Sequence, residues 1–487
     1  MEQVQDKPKG QVTGLAAPAG KSADNPSSGD GALRLREDIE KIRATALQAA
    51  ATPLALNTNL TRATEMVLSI DFKRYDADRH REAAPGLMYE VFAFQHDLRD
   101  QIEHWHKAGL MSQQNQRACR NLLRMTRYAA DMLGELWIGF DRLDETERTY
   151  RAFTGTHHNT LVPTRFATGE HLPFQSGDVI LVRGQAHNSA AIARIGDIDS
   201  QFSHVGMVYI DKEGKHWVVE SVIEEGAVIE PLVTLLSNHL GRAVCLRHRD
   251  PILAKNAATI IHDRVRRSLS PTGQHIPYDF TMRPDIGRKL FCSKLVRRAY
   301  KEASAHEYIL PTFPTQLSMK NRDFVDRIGV EALETFAPGD MELEPAFDVV
   351  AEWQDYRITS NLRLQDMVMD KLFEWMEAYN YRFHETFKIK LISILGRASS
   401  YLSNDIKDML ESSFPKIPPN MSRKAIAVIA MLHETAEPLL DDLLKAEDNA
   451  IRQTGLPLHP RDAYLILEKK RESLGSEIGY LRIRDSR

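Results

Sequence analysis

Ser203-His204-Val205-Gly206-Met207-Val208-Tyr209 and, well downstream, Phe291-Cys292-Ser293-Lys294-Leu295-Val296-Arg297-Arg298-Ala299-Tyr300 are the stretches that decide how this chain is read. The first alternates around Val205 and Met207 and predicts a strand opened by His204. In the second, Leu295, Val296 and Ala299 follow Cys292 at helical steps. That spacing predicts a helix with the thiol at its first turn, on the inward face. A thiol is a useful nucleophile as its thiolate, which a helix N-terminus and a nearby imidazole both favour. The unpaired N–H groups of a helix start can also form part of an oxyanion hole.

Working outward, the turn Asp211-Lys212-Glu213-Gly214-Lys215 leads into Trp217-Val218-Val219-Glu220-Ser221-Val222, a second strand. A carboxylate in such an apolar run needs a partner if it is buried. Beside the imidazole, Glu220 would hold the tautomer and orientation of His204; on the solvated side of an edge strand it would not. Further strands are predicted at residues 179–182, after Ser176-Gly177-Asp178, and at 243–246. Helices are predicted at 254–269 and 292–303, which gives an α+β core. His187 and Asn188 follow the first strand, where Asn188 or Ser189 is expected to cap a helix.

Composition narrows the field. The 487 residues exceed one ordinary core, so two or three folded units are expected. Apolar and charged fractions of 43% and 27% are those of a soluble globular protein. A formal charge of −4 gives no basic footprint for nucleic acid. Arg264-Val265-Arg266-Arg267 reads as a solvated helix face. Cys119, Cys245 and Cys292 are odd in number and widely spaced, as expected for free thiols in a reducing compartment. No Cys-x-x-Cys or His-Glu-x-x-His occurs, so no zinc site is expected. Cys119 and Cys245 are expected to behave as small hydrophobes. Met1-Glu2-Gln3-Val4-Gln5-Asp6-Lys7 has no apolar core of a secretory signal, and no apolar run could span a bilayer. The expected location is cytoplasmic, with delivery of a bacterial effector by a signal-independent machine as the other route.

Residues 1–32, rich in Gly, Pro, Ala and Ser, predict a flexible tail. Residues 33–160 read as helical, most clearly where Leu122, Ala129, Met132, Leu133, Leu136, Trp137 and Phe140 recur. His104 and His106 flank Trp105 on different helix faces, which favours surface or packing roles over metal binding. Residues 163–358 carry the strands, and 359–487 read as a second helical region. There Leu364, Val368, Leu372, Trp375 and Tyr379 form a stripe. Pro415-Lys416-Ile417-Pro418-Pro419 breaks it, and Ile426, Ile429, Ala430, His433 and Leu440 continue it.

Five segments in order now carry a resemblance: Gly177-Asp178-Val179-Ile180, Ser203-His204-Val205-Gly206-Met207, Val218-Val219-Glu220-Ser221-Val222, Pro277-Tyr278-Asp279-Phe280 and Phe291-Cys292-Ser293-Lys294-Leu295-Val296. Together they resemble the permuted papain-like cysteine amidases of the YaeF/YiiX type, relatives of NlpC-like cell-wall peptidases and of lecithin:retinol acyltransferase. Phe347-Asp348-Val349-Val350-Ala351-Glu352-Trp353 resembles the closing segment of that family. The resemblance spans roughly residues 165–358. It implies a circularly permuted papain-like (NlpC-type) domain, histidine before cysteine, flanked by N- and C-terminal helical regions. Position by position it implies Cys292 as nucleophile, His204 as base and Glu220 as the orienting residue. Tyr278 and Ser293 would line the substrate and oxyanion site. Lys294 departs from the acidic or small residue more usual there, and would either set a cation near the thiol or point to water.

The resulting expectation is a cysteine hydrolase that cleaves peptide or other amide bonds through a thioacyl intermediate, with no metal or organic cofactor. A lipid-directed thioesterase, phospholipase or acyltransferase would use the same triad on an acyl-lipid substrate. A non-catalytic scaffold, binding a protein partner or a second copy through the helical flanks, is the reading from another class.

Overall fold

Period-two alternation along the central segments buries residues on both sides of a sheet, and helices cover each side. In the computed structural model, residues 30–71, 74–141, 159–167, 172–237, 240–317, 322–386, 389 and 420–484 are described. Residues 1–29 of the expected tail and the proline break at 415–419 lie outside them; Asp30, Gly31 and Ala32 already belong to the first helix.

Four helices come first: α1 (Asp30–Ala46), α2 (Pro53–Leu68), α3 (Ala77–Lys107) and α4 (Gln113–Trp137). The middle of the chain contributes β1 (Thr160–Leu161), β2 (Val179–Gly184), α5 (His187–Ile192), β3 (His204–Ile210), β4 (His216–Val222) and β5 (Gly226–Pro231). It continues with α6 (Leu232–Ser237), β6 (Leu240–His248), α7 (Pro251–Ser268), α8 (Cys292–Ala303), β7 (Thr315–Gln316), α9 (Arg322–Ile328), β8 (Glu334–Thr335) and β9 (Phe347–Gln354). Then follow α10 (Thr359–Ala378), β10 (Tyr381–Phe383), α11 (Arg423–Thr454), α12 (Pro460–Leu474), β11 (Glu477–Ile478) and β12 (Leu481–Ile483).

Seven strands form one sheet in the order β1-β9-β6-β2-β3-β4-β5, and every neighbouring pair is antiparallel. Leu181, Val205, Met207, Val219 and Val244 face α7 and α8, where they meet Ile261, Val265, Leu295, Val296 and Ala299. Ile180, Val182, Val208, Val218 and Cys245 face the other way, onto Leu232, Leu235 and Leu236 of α6. α7 starts sharply because Asp250 accepts the N–H groups of Ile252 and Leu253, with Pro251 at the first helical position.

The helical flanks are joined to the sheet through buried charge. Arg127 of α4 donates to Glu352 of β9, and Arg242 of β6 bonds both Glu352 and Asp131 of α4. Arg363 of α10 bridges Glu135 of α4 and Glu447 of α11. Arg183 of β2 and Arg194 pair with Asp366 of α10. Each of these side chains is at most 4% exposed.

The C-terminal region is helical as expected and also carries a small antiparallel sheet of β10, β12 and β11. Two expectations need correction. Neither Asn188 nor Ser189 caps α5, whose N-cap is Ala186 without a side-chain bond. The stripe of α4 ends at half-buried Trp137, because Phe140 lies beyond the helix at φ 59°.

Candidate active site

α8 begins at Cys292 itself, with Phe291 as an N-cap that offers no side-chain bond. The thiol is 5% exposed and packs with Leu295, Val296 and Ala299 in the core between helix and sheet. α8 lies on β3 and β4, so its first turn meets the start of β3, where His204 stands. Glu220 lies on β4, and its Oε2 is 2.5 Å from Nε2 of His204. Glu220 is 3% exposed and the His204 side chain 22%, so the carboxylate is sealed while the imidazole reaches the surface. With Nε2 engaged by Glu220, Nδ1 is the ring nitrogen left free to act on the thiol, and the imidazole lowers the thiol's pKa. Gly206, two residues beyond His204 on β3, packs against Val218 and Glu220 of the neighbouring β4. A Cβ on Gly206 would stand 2.6 Å from Cγ2 of Val218 and 3.6 Å from Cβ of Glu220.

Electrostatics follow from this geometry. Burial disfavours the Cys292 thiolate, but the hydrogen bond and charge of His204, with help from Ser293 and the Val205 backbone, hold the thiol below its ordinary value. Burial likewise disfavours the imidazolium, yet Cys292 and Glu220 raise His204 to about 10. Both shifts favour a thiolate–imidazolium pair. The other thiols lie deep in apolar surroundings, and burial pushes Cys119 up to about 12 and Cys245 well above its ordinary value.

Tyr278 is 6% exposed beside the thiol. Burial first, then the charges of Cys292, Glu224 and Asp279, keep its phenol protonated and hence a donor. Its ring meets Phe280 edge-on at 5.0 Å, and its carbonyl accepts from Asn420 of the C-terminal region. The Ser293 hydroxyl lies 3.8 Å from Sγ of Cys292 and is fully buried, so it addresses the thiol.

Lys294 takes neither expected course. It is fully buried, and its Nζ donates to Asp279 Oδ2 and to the Ile286 carbonyl, both at 2.6 Å. The pair ties α8 to the segment carrying Tyr278. Glu224, in the turn between β4 and β5, was not singled out by sequence reasoning. It is pushed up by burial against the opposing charge of His204; a turn acid carries no spacing signal that would mark it. Among the described residues, one group has metal-ligand chemistry: His187, His433 and Glu437, each offering one ligand atom within 4.8 Å of the others.

A comparison with curated proteins gives no match. Among solved structures, the crystal structure of the metalloprotein yiiX from Escherichia coli O157:H7 is similar at 20% identity and a TM-score of 0.30, covering 37% of this chain and 98% of that one. Residues 173–350, from just before β2 into β9, match the family model described as the permuted papain-like amidase enzymes, YaeF/YiiX, C92 family, and the sheet with α7 and α8 has the permuted papain-like fold.

Proposed function

We propose that this chain is a cysteine hydrolase of amide bonds, with Cys292 as nucleophile, His204 as proton carrier and Glu220 as the residue that orients it. One observation carries the reading: a thiol on the first turn of α8, its pKa lowered by an imidazole whose Nε2 is held by a buried carboxylate. In the first step Sγ of Cys292 forms a bond to the carbonyl carbon, and the oxyanion is held by first-turn N–H groups and the Tyr278 hydroxyl. The C–N bond then breaks as His204 gives its proton to the leaving nitrogen. In the second step water loses a proton to His204 and attacks the thioester. The S–C bond breaks, and the acid and the free thiol remain. Ser293 supports the thiolate in this scheme.

The test is rapid-quench intact mass spectrometry with a panel of acyl amides, p-nitroanilides and phospholipids. An adduct of the acyl mass on Cys292 with amine release, lost in Cys292→Ala and slowed about 10²–10⁴-fold in His204→Ala, is the expected result. Acylation by lipids alone would move the substrate class to acyl esters. No adduct from any donor, with unchanged biological activity in Cys292→Ala, would sink the enzymatic reading and leave the scaffold.

A further inference from the structure

The β2–β3 connection and α11 meet at a set of donors that the thiol chemistry does not use. His187, three residues past the end of β2, is 4% exposed, and its Nε2 lies 2.6 Å from Oε2 of Glu437. His433 and Glu437 are four residues apart on α11, a spacing that sets both side chains on one helix face. The imidazoles of His187 and His433 stand edge to face at 5.2 Å. Nδ1 of each ring is shielded from solvent and has no hydrogen-bond partner among the described residues. A buried ring nitrogen without a partner is unfavourable, and two in contact call for a ligand or a proton.

From this juxtaposition we infer that His187, His433 and Glu437 form a binding site for a divalent transition ion of the zinc type. Two imidazoles and one carboxylate are the donor set such an ion takes, with water in the remaining position. The ligand atoms lie within 4.8 Å of one another, so modest side-chain adjustment sets them at the roughly 3.3 Å separations that tetrahedral bonds of about 2.0–2.1 Å require. The side chain of Glu437 is 49% exposed and opens a route from solvent, while His187 closes the inner end.

Topology gives the ion its role. Val182 of β2 pairs with His204 of β3, and His187 leaves that same end of the sheet. α11 packs on α5 and belongs to the C-terminal region from which Asn420 holds the Tyr278 carbonyl. The ion therefore fastens the C-terminal helices to the strand end that carries His204. His433 and Glu437 lie outside residues 173–350, so this site is an addition of this chain to the papain-like domain. It stands independently of the catalytic proposal.

The full-length protein, stripped with chelator, is dialysed against limiting ZnCl₂ and titrated in parallel with Co²⁺. The expected result is one zinc ion per chain and a Co²⁺ visible band without thiolate charge transfer. Affinity should fall at least about 10-fold in both His433→Ala and Glu437→Gln and stay unchanged in Cys292→Ala. Glu437→Gln alters a half-exposed residue, so it keeps the test decisive if His433→Ala fails to fold. No bound ion in the wild type would overturn the site. Equal affinity in the folded variants, or a thiolate band lost in Cys292→Ala, would do the same.

Discussion

At the scale of single residues, the thiol and imidazole define a pH window. The Cys292 thiol is held below its ordinary value, so the thiolate forms as pH rises through that lowered value. His204 is raised to about 10, so the imidazolium is lost as pH climbs through it. Alkylation of Cys292 by limiting iodoacetamide should therefore begin well below the roughly pH 8.5 of a free thiol. Acylation should fall again on the alkaline side, as the imidazolium that protonates the leaving nitrogen disappears. Glu220→Gln removes one cause of the raised imidazole and should draw the alkaline limb down toward neutrality, with a rate loss of about 10²-fold or more. An unchanged alkaline limb would mean that Glu220 does not act on His204. These three residues were legible because each sits in a short motif with its own period: a strand start, an apolar run and a helix start. Lys294 was misread. Its partner Asp279 lies fifteen residues upstream across an irregular loop, and no pattern in the sequence links the two.

Between elements, that same pair joins α8 to the segment carrying Tyr278. Both side chains are at most 5% exposed, so neither can exchange its partner for water. Lys294→Ala leaves Asp279 buried without its cation, a change that costs about 3–5 kcal/mol. Asp279 also holds the backbone N–H and hydroxyl of Thr281, so the disturbance reaches the loop beyond Tyr278. Urea unfolding should show the loss of stability. Iodoacetamide labelling should show whether the start of α8 has also moved. A stability within about 0.5 kcal/mol of wild type, the range of ordinary surface changes, would refute the tie. Much of the element level was legible: β3, β4, α7 and α8 lie where alternation and helical spacing predict them. The three-stranded C-terminal sheet was not, because β10, β11 and β12 are two or three residues long and too short for any period to register. The turn into β5 was equally silent. Gly226 adopts φ +83° there, and a Cβ would stand 2.3 Å from the Ile276 carbonyl oxygen, a requirement visible only after folding.

For the whole molecule, the charged faces of the flanking helices carry the lesson that sequence periodicity missed. On α4 the apolar stripe is only half of what is buried: Arg127, Asp131 and Glu135 of the polar face are each at most 3% exposed, turned toward β6, β9 and α10. A helical wheel assigns such a face to water, whereas here it forms the joint between the flanks and the sheet. Arg363 is the keystone of one joint, bonded to Glu135 and Glu447 with all three side chains at most 2% exposed. Burial raises Glu135 to about 7 even with Arg363 opposing it. A carboxyl whose folded value lies above its unfolded one favours folding when protonated, and that contribution is lost as pH rises through the folded value. Arg363→Met removes the opposing cation and raises Glu135 further. At pH 5.5 Glu135 is already neutral, so the deficit there is the smaller one, left by Glu447 without its cation. At pH 8 the wild type keeps a charged, paired Glu135, while the variant must bury it unpaired or hold it protonated. The deficit should there approach the roughly 3–5 kcal/mol of a broken buried pair. Urea titrations at the two pH values read this directly, and Trp105, Trp137, Trp217, Trp353 and Trp375 report from α3, α4, β4, β9 and α10. A joint that couples flanks to sheet requires one shared transition for all five tryptophans. Separate transitions, or a deficit equal at both pH values, would mean that the helical regions fold without leaning on the papain-like domain.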